Sequence, residues 1–595
     1  MANTHSLVLF LLLFPILQSS SPSVAASPSH HRYHIGDHIP FFVNKVGPFN
    51  NPSETYEYYD LPFCQPDPIV RKKESLGEVL NGDRLCNALY DFKFREDKIS
   101  ETLCQKRFNV DELASLREAI KRDYYLQFYL DELPFWGFIG KLEEDTWSPA
   151  SAGGGTKYYL FTHLQFHLLY NGDQVIQVNA FGDPNHAIDI TNDVHLDVQF
   201  TYSVTWNATT LHFQNRMDRY SRASLLPMYR QLHWFSFINS TIIILLLLAL
   251  LALLYTRHLN TDLKKFSNAN EEDKEVGWKS IHAHVFRHPP NSSLLFALVG
   301  TGTQLLILLF VLLFLALTGT LHPYNRGGLL NYLVLLYALS TVIAGYSSAS
   351  FYGQFVGNGW ERNVCIAAIL YAGPVFVVAS ILNIIAISYG ATTALPFGSI
   401  VVILVIFVFI AIPLLVFGGV VGYRFRIEFQ GPSSSSTKKY PREIQQLAWY
   451  RRTPFQMFIG GLVPFSAIVL QLHQVYASMW GYKIYTLSSI LFVTFITAIV
   501  IIALVNIGLT YIQLSVEDHE WWWRSVLCGG STAIFMFVYS IYFYVRSNMS
   551  GLLQLSFFIG YNACLCYAFF LTFGAISFRV SLLFVRHIYH SVKRE

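Results

Sequence analysis

The stretch FSFINSTIIILLLLALLALLYT, Phe235–Thr256, carries no charged residue, and as an α-helix it is long enough to cross a hydrocarbon core of ~30 Å. Before it the chain reads as water-soluble. After it come eight more apolar runs, at about 293–320, 329–352, 364–389, 398–423, 454–480, 486–513, 525–545 and 552–585. The expected fold is therefore α+β: a β-sandwich-like luminal domain at 27–234 followed by a nine-helix α-helical transmembrane bundle. In that division the first transmembrane helix is 235–256, a cytosolic loop spans 257–292, and eight further helices fill 293–585. A second cytosolic loop lies at 424–453, and 586–595 forms the tail. The composition agrees, because 52% hydrophobic against only 14% charged residues lies outside the soluble globular class. A net charge of +3, scattered along the chain, excludes nucleic acid as a partner and leaves the lipid bilayer as the first one.

Lys and Arg in the connections set the orientation. With the first half luminal, the cytosolic connections and tail hold eighteen such residues and the luminal connections (321–328, 390–397, 481–485, 546–551) hold three, as the positive-inside rule requires. The C-terminus is then cytosolic. At the other end, the apolar run Ser6–Gln18 followed by Val24-Ala25-Ala26 predicts a signal peptide over 1–26. No Lys or Arg precedes the run, so an uncleaved anchor is the open alternative. Cys64, Cys86 and Cys104 precede the first span without C-x-x-C spacing; one disulfide and one free thiol is the simplest arrangement in an oxidising lumen.

Within the soluble half, Asp111 is a plausible cap for a helix through ELASLREAIKRD, with Leu113, Leu116 and Ile120 on one face. HLQFHLLY (His163–Tyr170) and QVIQVNAF (Gln174–Phe181) flank Asn171-Gly172-Asp173 and predict a hairpin, and HLDVQFTYSVTW (His195–Trp206) alternates likewise. Asn207-Ala208-Thr209 is a glycosylation acceptor, whereas Asn51-Pro52-Ser53 is excluded by its proline. His30, His31, His34 and His38 could hold a metal ion or belong to a flexible arm, and the arm is the expected reading.

The nine spans hold no carboxylate, the group an ion-coupled transporter keeps in the bilayer. The polar candidates among them are Gln304, Asn383, Gln471, His473, Asn506, Asn562 and Arg579. The amides suit interhelical hydrogen bonds, His473 suits a satisfied core position, and Arg579 can snorkel toward the cytosolic surface. Gly418-x-x-x-Gly422 suits close helix packing. No hydrolase elbow, phosphate loop or zinc-protease pattern is present, so no enzyme, cofactor or metal centre is expected. The stretch YIQLSVEDHEWWWRS (Tyr511–Ser525) sets Glu517, Asp518 and Glu520 beside Trp521, Trp522, Trp523 and Arg524. An interfacial belt of indoles explains the tryptophans and leaves the clustered acids unexplained.

That stretch closely resembles a signature of the nonaspanins, the transmembrane 9 superfamily of endomembrane proteins, in its plant-type form. Further matching stretches run the length of the chain: YEYYDLPFC (Tyr56–Cys64), LGEVLNGDRL (Leu76–Leu85), LPFWGFIG (Leu133–Gly140), GWKSIHAHVFRHPP (Gly277–Pro290), PREIQQLAWY (Pro441–Tyr450) and GGLVPFSAI (Gly460–Ile468). The resemblance implies a Golgi and endosome membrane protein. It also implies that Lys593-Arg594-Glu595 is a Golgi-retention signal read by the COPI coat. Phe584-Val585-Arg586-His587-Ile588-Tyr589 would be an export signal for leaving the endoplasmic reticulum through COPII. Two departures stand out: Gln471 occupies a position that is often glutamate, and Ser100 stands where many members have a cysteine. With Cys86 then the odd thiol, the implied disulfide is Cys64–Cys104. The function implied is sorting, trafficking or localisation of other membrane proteins, which would be its cargo. The alternative is an endomembrane transporter or channel, for which the histidine arm and His473 are the support.

Overall fold

The computed structural model describes residues 31–143, 156–192, 195–213, 216, 238–239, 241–253, 256–257, 260, 281, 284–321, 327–427, 448–481 and 488–592. The signal-peptide reading at 1–26, His30 and the Lys593–Glu595 signal lie outside them. So does most of the loop at 257–292.

The N-terminal domain is built on two four-stranded sheets. The first has the order β2 (Tyr56–Glu57), β1 (Phe41–Pro48), β4 (Tyr124–Leu130), β5 (Leu133–Phe138). The second runs β3 (Lys98–Phe108), β11 (Leu196–Ala208), β8 (His163–Asn171), β9 (Gln174–Gly182), with β11 and β8 parallel. A smaller three-stranded sheet joins β6 (Gly140–Glu143), β7 (Lys157–Phe161) and β10 (Ala187–Asp189). The two larger sheets share one aromatic core: Phe41, Phe128 and Phe135 of the first meet Phe166 of the second at ring distances of 6.3, 6.2 and 6.1 Å. Edge-on contacts of this kind suit the ring quadrupoles.

Local rules account for the pieces. The β8–β9 hairpin forms where Asn171-Gly172-Asp173 predicts it, with Gly172 at φ +61°. The expected helix is present, together with a short one not foreseen: α1 is Leu76–Leu80 and α2 is Val110–Lys121. In α2, Leu113, Leu116 and Ile120 are buried. Its cap is Asn109, two residues before the expected Asp111, because the Glu112 carboxylate accepts the Asn109 N–H at 3.0 Å. Cys64 and Cys104 are disulfide-bonded and Cys86 is free and buried.

Among the described residues, eight helices are long and apolar enough to cross a membrane, and a shorter apolar one, α3 (Thr241–Leu253), lies within Phe235–Thr256. The eight are α4 (Ser292–Leu317), α5 (Gly328–Phe355), α6 (Trp360–Ser388), α7 (Phe397–Arg424), α8 (Thr453–Met479), α9 (Ser488–Ser515), α10 (Trp521–Arg546) and α11 (Leu552–Val592). At 41 residues, α11 is about 60 Å long and outruns the bilayer.

Glycine sets the tightest packing. A Cβ on Gly345 of α5 would sit 1.9 Å from the Leu415 carbonyl of α7, and one on Gly418 would sit 2.1 Å from the Val342 carbonyl. Only backbones without side chains approach this closely. In the middle of α7, Phe407–Ala411 forms a π-turn just before Pro413, and Thr341 Oγ1 of α5 donates to the Ala411 carbonyl at 2.9 Å. A neighbouring hydroxyl thus bonds the backbone where the regular α-helical ladder is interrupted.

Candidate functional site

The bundle has two worked ends. At the end facing the N-terminal domain, connections between spans meet stretches that the sequence marks. Asn51 Nδ2 donates to the Ser550 carbonyl at 2.7 Å while Ser550 N–H returns a bond to Asn51 Oδ1 at 3.0 Å. Ser53 N–H reaches Gln554 Oε1 at 2.9 Å. The hydroxyls of Thr55 and Thr392 share a 2.6 Å bond, and Thr392 N–H donates to the Thr55 carbonyl at 2.8 Å. Arg84 Nη2 donates to the Ala394 carbonyl at 3.0 Å. Gly77 in α1 donates its N–H to Asn331 Oδ1 at 2.7 Å, and here the sequence leaves no choice: a Cβ on Gly77 would lie 2.0 Å from the Gly327 carbonyl. Beneath this seam Arg122 holds buried Glu54 through Nη2, at 2.7 Å from each carboxylate oxygen.

The seam joins the N-terminal domain to the connections following α4, α6 and α10. These are three of the four connections that the charge count groups on one side.

The signature residues Glu517–Arg524 form the other end. Trp521 and Trp522 begin α10 and are 0% and 2% exposed. Both indole N–H groups donate to the Val285 carbonyl, at 3.0 and 3.2 Å, and Trp523 donates to the Pro290 carbonyl at 3.0 Å. The expected belt of lipid-facing indoles is therefore corrected. Consecutive residues on a helix point about 100° apart, so a run of three cannot share one lipid face; two turn inward and need acceptors for their N–H groups. The loop 284–290 supplies them. Trp521 stacks on Trp522 at 4.8 Å and on Phe578 of α11 at 5.8 Å. Asp518, fully buried, forms an ion pair with Arg524, Oδ2 to Nη1 at 2.7 Å, and its other oxygen accepts Glu520 N–H at 3.0 Å. One of the unexplained acids is thus the counter-charge that lets Arg524 be buried; Glu520 is exposed.

Other candidate residues are distributed differently from their expectations. Phe584–Tyr589 is not an exposed tail: it lies inside α11, with Val585 and Tyr589 buried and Tyr589 packed on Phe286 at 5.8 Å. The apolar periodicity runs on past residue 585, which is why the helix does too. His473 is exposed on the outer face of α8 and meets Tyr539 Oη at 3.0 Å, so it is not a core histidine. Arg579 does not snorkel; it turns into the bundle, donating to Thr303 Oγ1 at 3.1 Å and Ser347 Oγ at 2.6 Å. Asn207 is exposed near the end of β11.

The histidines of the expected arm are separated. His31 Nδ1 donates to Asp131 at 2.7 Å and His38 to Asp91 at 2.8 Å. Among the described residues no three of His, Cys, Asp and Glu gather at a metal-sized site. Asp131 is a hub the sequence does not announce: Tyr33 Oη at 2.7 Å and Arg216 Nη1 at 2.9 Å also donate to it. This bonding holds the His31 pKa above its ordinary value, whereas burial lowers that of His163.

A β-rich N-terminal domain bonded through its motif stretches to a multi-span bundle defines a class of polytopic membrane protein. The family model for Endomembrane protein 70 matches residues 55–552, and the chain belongs to that family. It is 55% identical to Transmembrane 9 superfamily member 5 of Arabidopsis thaliana over 96% of both chains. To member 4 from the same plant it is 50% identical over 99% of both. Transmembrane 9 superfamily member 1 of Bos taurus is 39% identical, with 98% of this chain and 97% of the relative covered. No solved structure matches the chain.

Proposed function

We propose that this protein sorts or localises other membrane proteins in the Golgi and endosomes, without enzymatic chemistry. The N-terminal domain faces the lumen and contacts cargo there, the bundle reads cargo spans, and the C-terminal Lys593-Arg594-Glu595 recruits COPI. The observation that carries this reading is the polar seam from Asn51 to Arg84, which ties the N-terminal domain to three inter-span connections. Such a seam lets an event in the domain bear on the spans without leaving the membrane.

The two supports for a transporter weaken on the same geometry, since His473 faces outward and His31 and His38 serve separate carboxylates. COPII recognition of Phe584–Tyr589 requires an adaptor that reads the exposed edge of a helix, where His587 is presented.

Alanine at both Lys593 and Glu595 is expected to move a tagged protein out of the Golgi under fluorescence microscopy. An unchanged distribution sinks the tail assignment. Proximity labelling from the C-terminus is expected to enrich coat subunits together with membrane cargo.

A further inference from the structure

Arg579 is a cation inside a span, and its partners are neutral. Its Nε donates to Thr303 of α4, its Nη2 donates to Ser347 of α5, and the guanidinium lies over the Phe351 ring at 5.1 Å. Among the described residues no carboxylate pairs with it. Two of its five N–H donors are thereby used, and the side chain is only partly covered. Arginines beside buried carboxylates elsewhere in this chain are built differently: Arg524 has Asp518, and Arg122 has Glu54. A cation held in a membrane protein without a counter-charge marks a site for an anion.

The position supports an approach from the membrane surface. Ser347 lies eight residues before Phe355, the last residue of α5, so Arg579 sits about 12 Å inside the helix ends distant from the N-terminal domain. Arg586 follows seven residues on, on the same stripe of α11 and about 10 Å outward; it donates to Gln354 at 3.0 Å and lies over Phe355. Two guanidinium groups of α11 thus face α5 in succession, from the end of the helices inward.

We propose that a phosphate-bearing anion binds at Arg579 between α5 and α11, with Arg586 on the approach to it. Arginine forks suit phosphate oxygens, and basic pockets between spans take anionic headgroups. The anion is either the headgroup of an acidic phospholipid or free phosphate.

The test uses the full-length protein purified in neutral detergent, titrated separately with dioctanoyl phosphatidic acid, dioctanoyl phosphatidylcholine and inorganic phosphate. Binding is read by native mass spectrometry and thermal shift. Phosphatidic acid is expected to be retained and to raise the Tm, with R579Q weakening retention at least roughly tenfold, as loss of one charge-assisted contact implies, and R579K restoring part of it. Response to phosphatidic acid alone assigns the site to lipid, and an equal response to phosphate assigns it to the soluble anion. Equal binding by R579Q and wild type overturns the proposal. Should R579Q not fold, the wild-type protein decides: no preference for phosphatidic acid or phosphate over phosphatidylcholine also overturns it.

Discussion

Buried charge in this molecule is handled one residue at a time. Asp518 has no exposure and serves Arg524 and the Glu520 N–H at once, so removing its charge leaves a guanidinium buried without a partner. Asp518→Asn is expected to destabilise the folded protein by ~3–5 kcal/mol, read as a lower Tm in detergent; a variant as stable as wild type would show the pair to be dispensable. His31 offers a pH test. Its folded pKa is raised by the hydrogen bond to Asp131, with Arg216 and Glu132 also facing it, so its contribution is complete below the unfolded value of about 6.5 and fades as pH rises through the folded one. His163, lowered by burial, works in the opposite sense, which makes a comparison of variants the clean measurement. His31→Gln should speed hydrogen exchange at the Asp131 turn of the full-length protein more at pH 6 than at pH 8.

At the scale of elements, much was legible because local rules act over a few residues. The β8–β9 hairpin, the buried face of α2 and the Gly418-x-x-x-Gly422 packing stripe all follow from period and turn chemistry. The length of α11 was half legible: its apolar pattern shows that it overruns the bilayer, but its packing against Phe286 depends on a loop some three hundred residues earlier. Gly418→Leu should separate α5 from α7, because its side chain would occupy the space of the Val342 carbonyl. The expected readout is a Tm lower by several degrees or loss of a monodisperse peak on size-exclusion chromatography, whereas Gly390→Leu, placed where an added Cβ meets nothing within 4 Å, should cost less and only through its positive φ.

For the whole molecule, the seam between domain and bundle is the feature on which the functional reading depends. Asn51→Ala removes both bonds to Ser550 and is expected to raise hydrogen exchange across 546–556 while leaving the β1–β4 pairing protected. Equal exchange in the two proteins would mean that the seam does not hold through Asn51. Sidedness has its own test. If the domain faces the lumen, Asn207 carries a glycan, so Asn207→Gln should abolish a gel shift that a glycosidase also removes; a wild-type protein without that shift would speak against the luminal assignment.

The division into a β-rich half and an apolar bundle, the approximate limits of the spans and a consistent grouping of their connections are all legible in the residues alone. These depend on solvent preference and charge, which each segment carries regardless of its neighbours. Long-range packing is what turns the tryptophans inward onto Val285, closes Asp518 on Arg524, turns Arg579 into the bundle and brings Asn51, Thr55 and Gly77 to the ends of the spans. Each joins groups far apart in the chain, and a buried polar atom's partner is set by what packing brings within 3 Å, which no local pattern records.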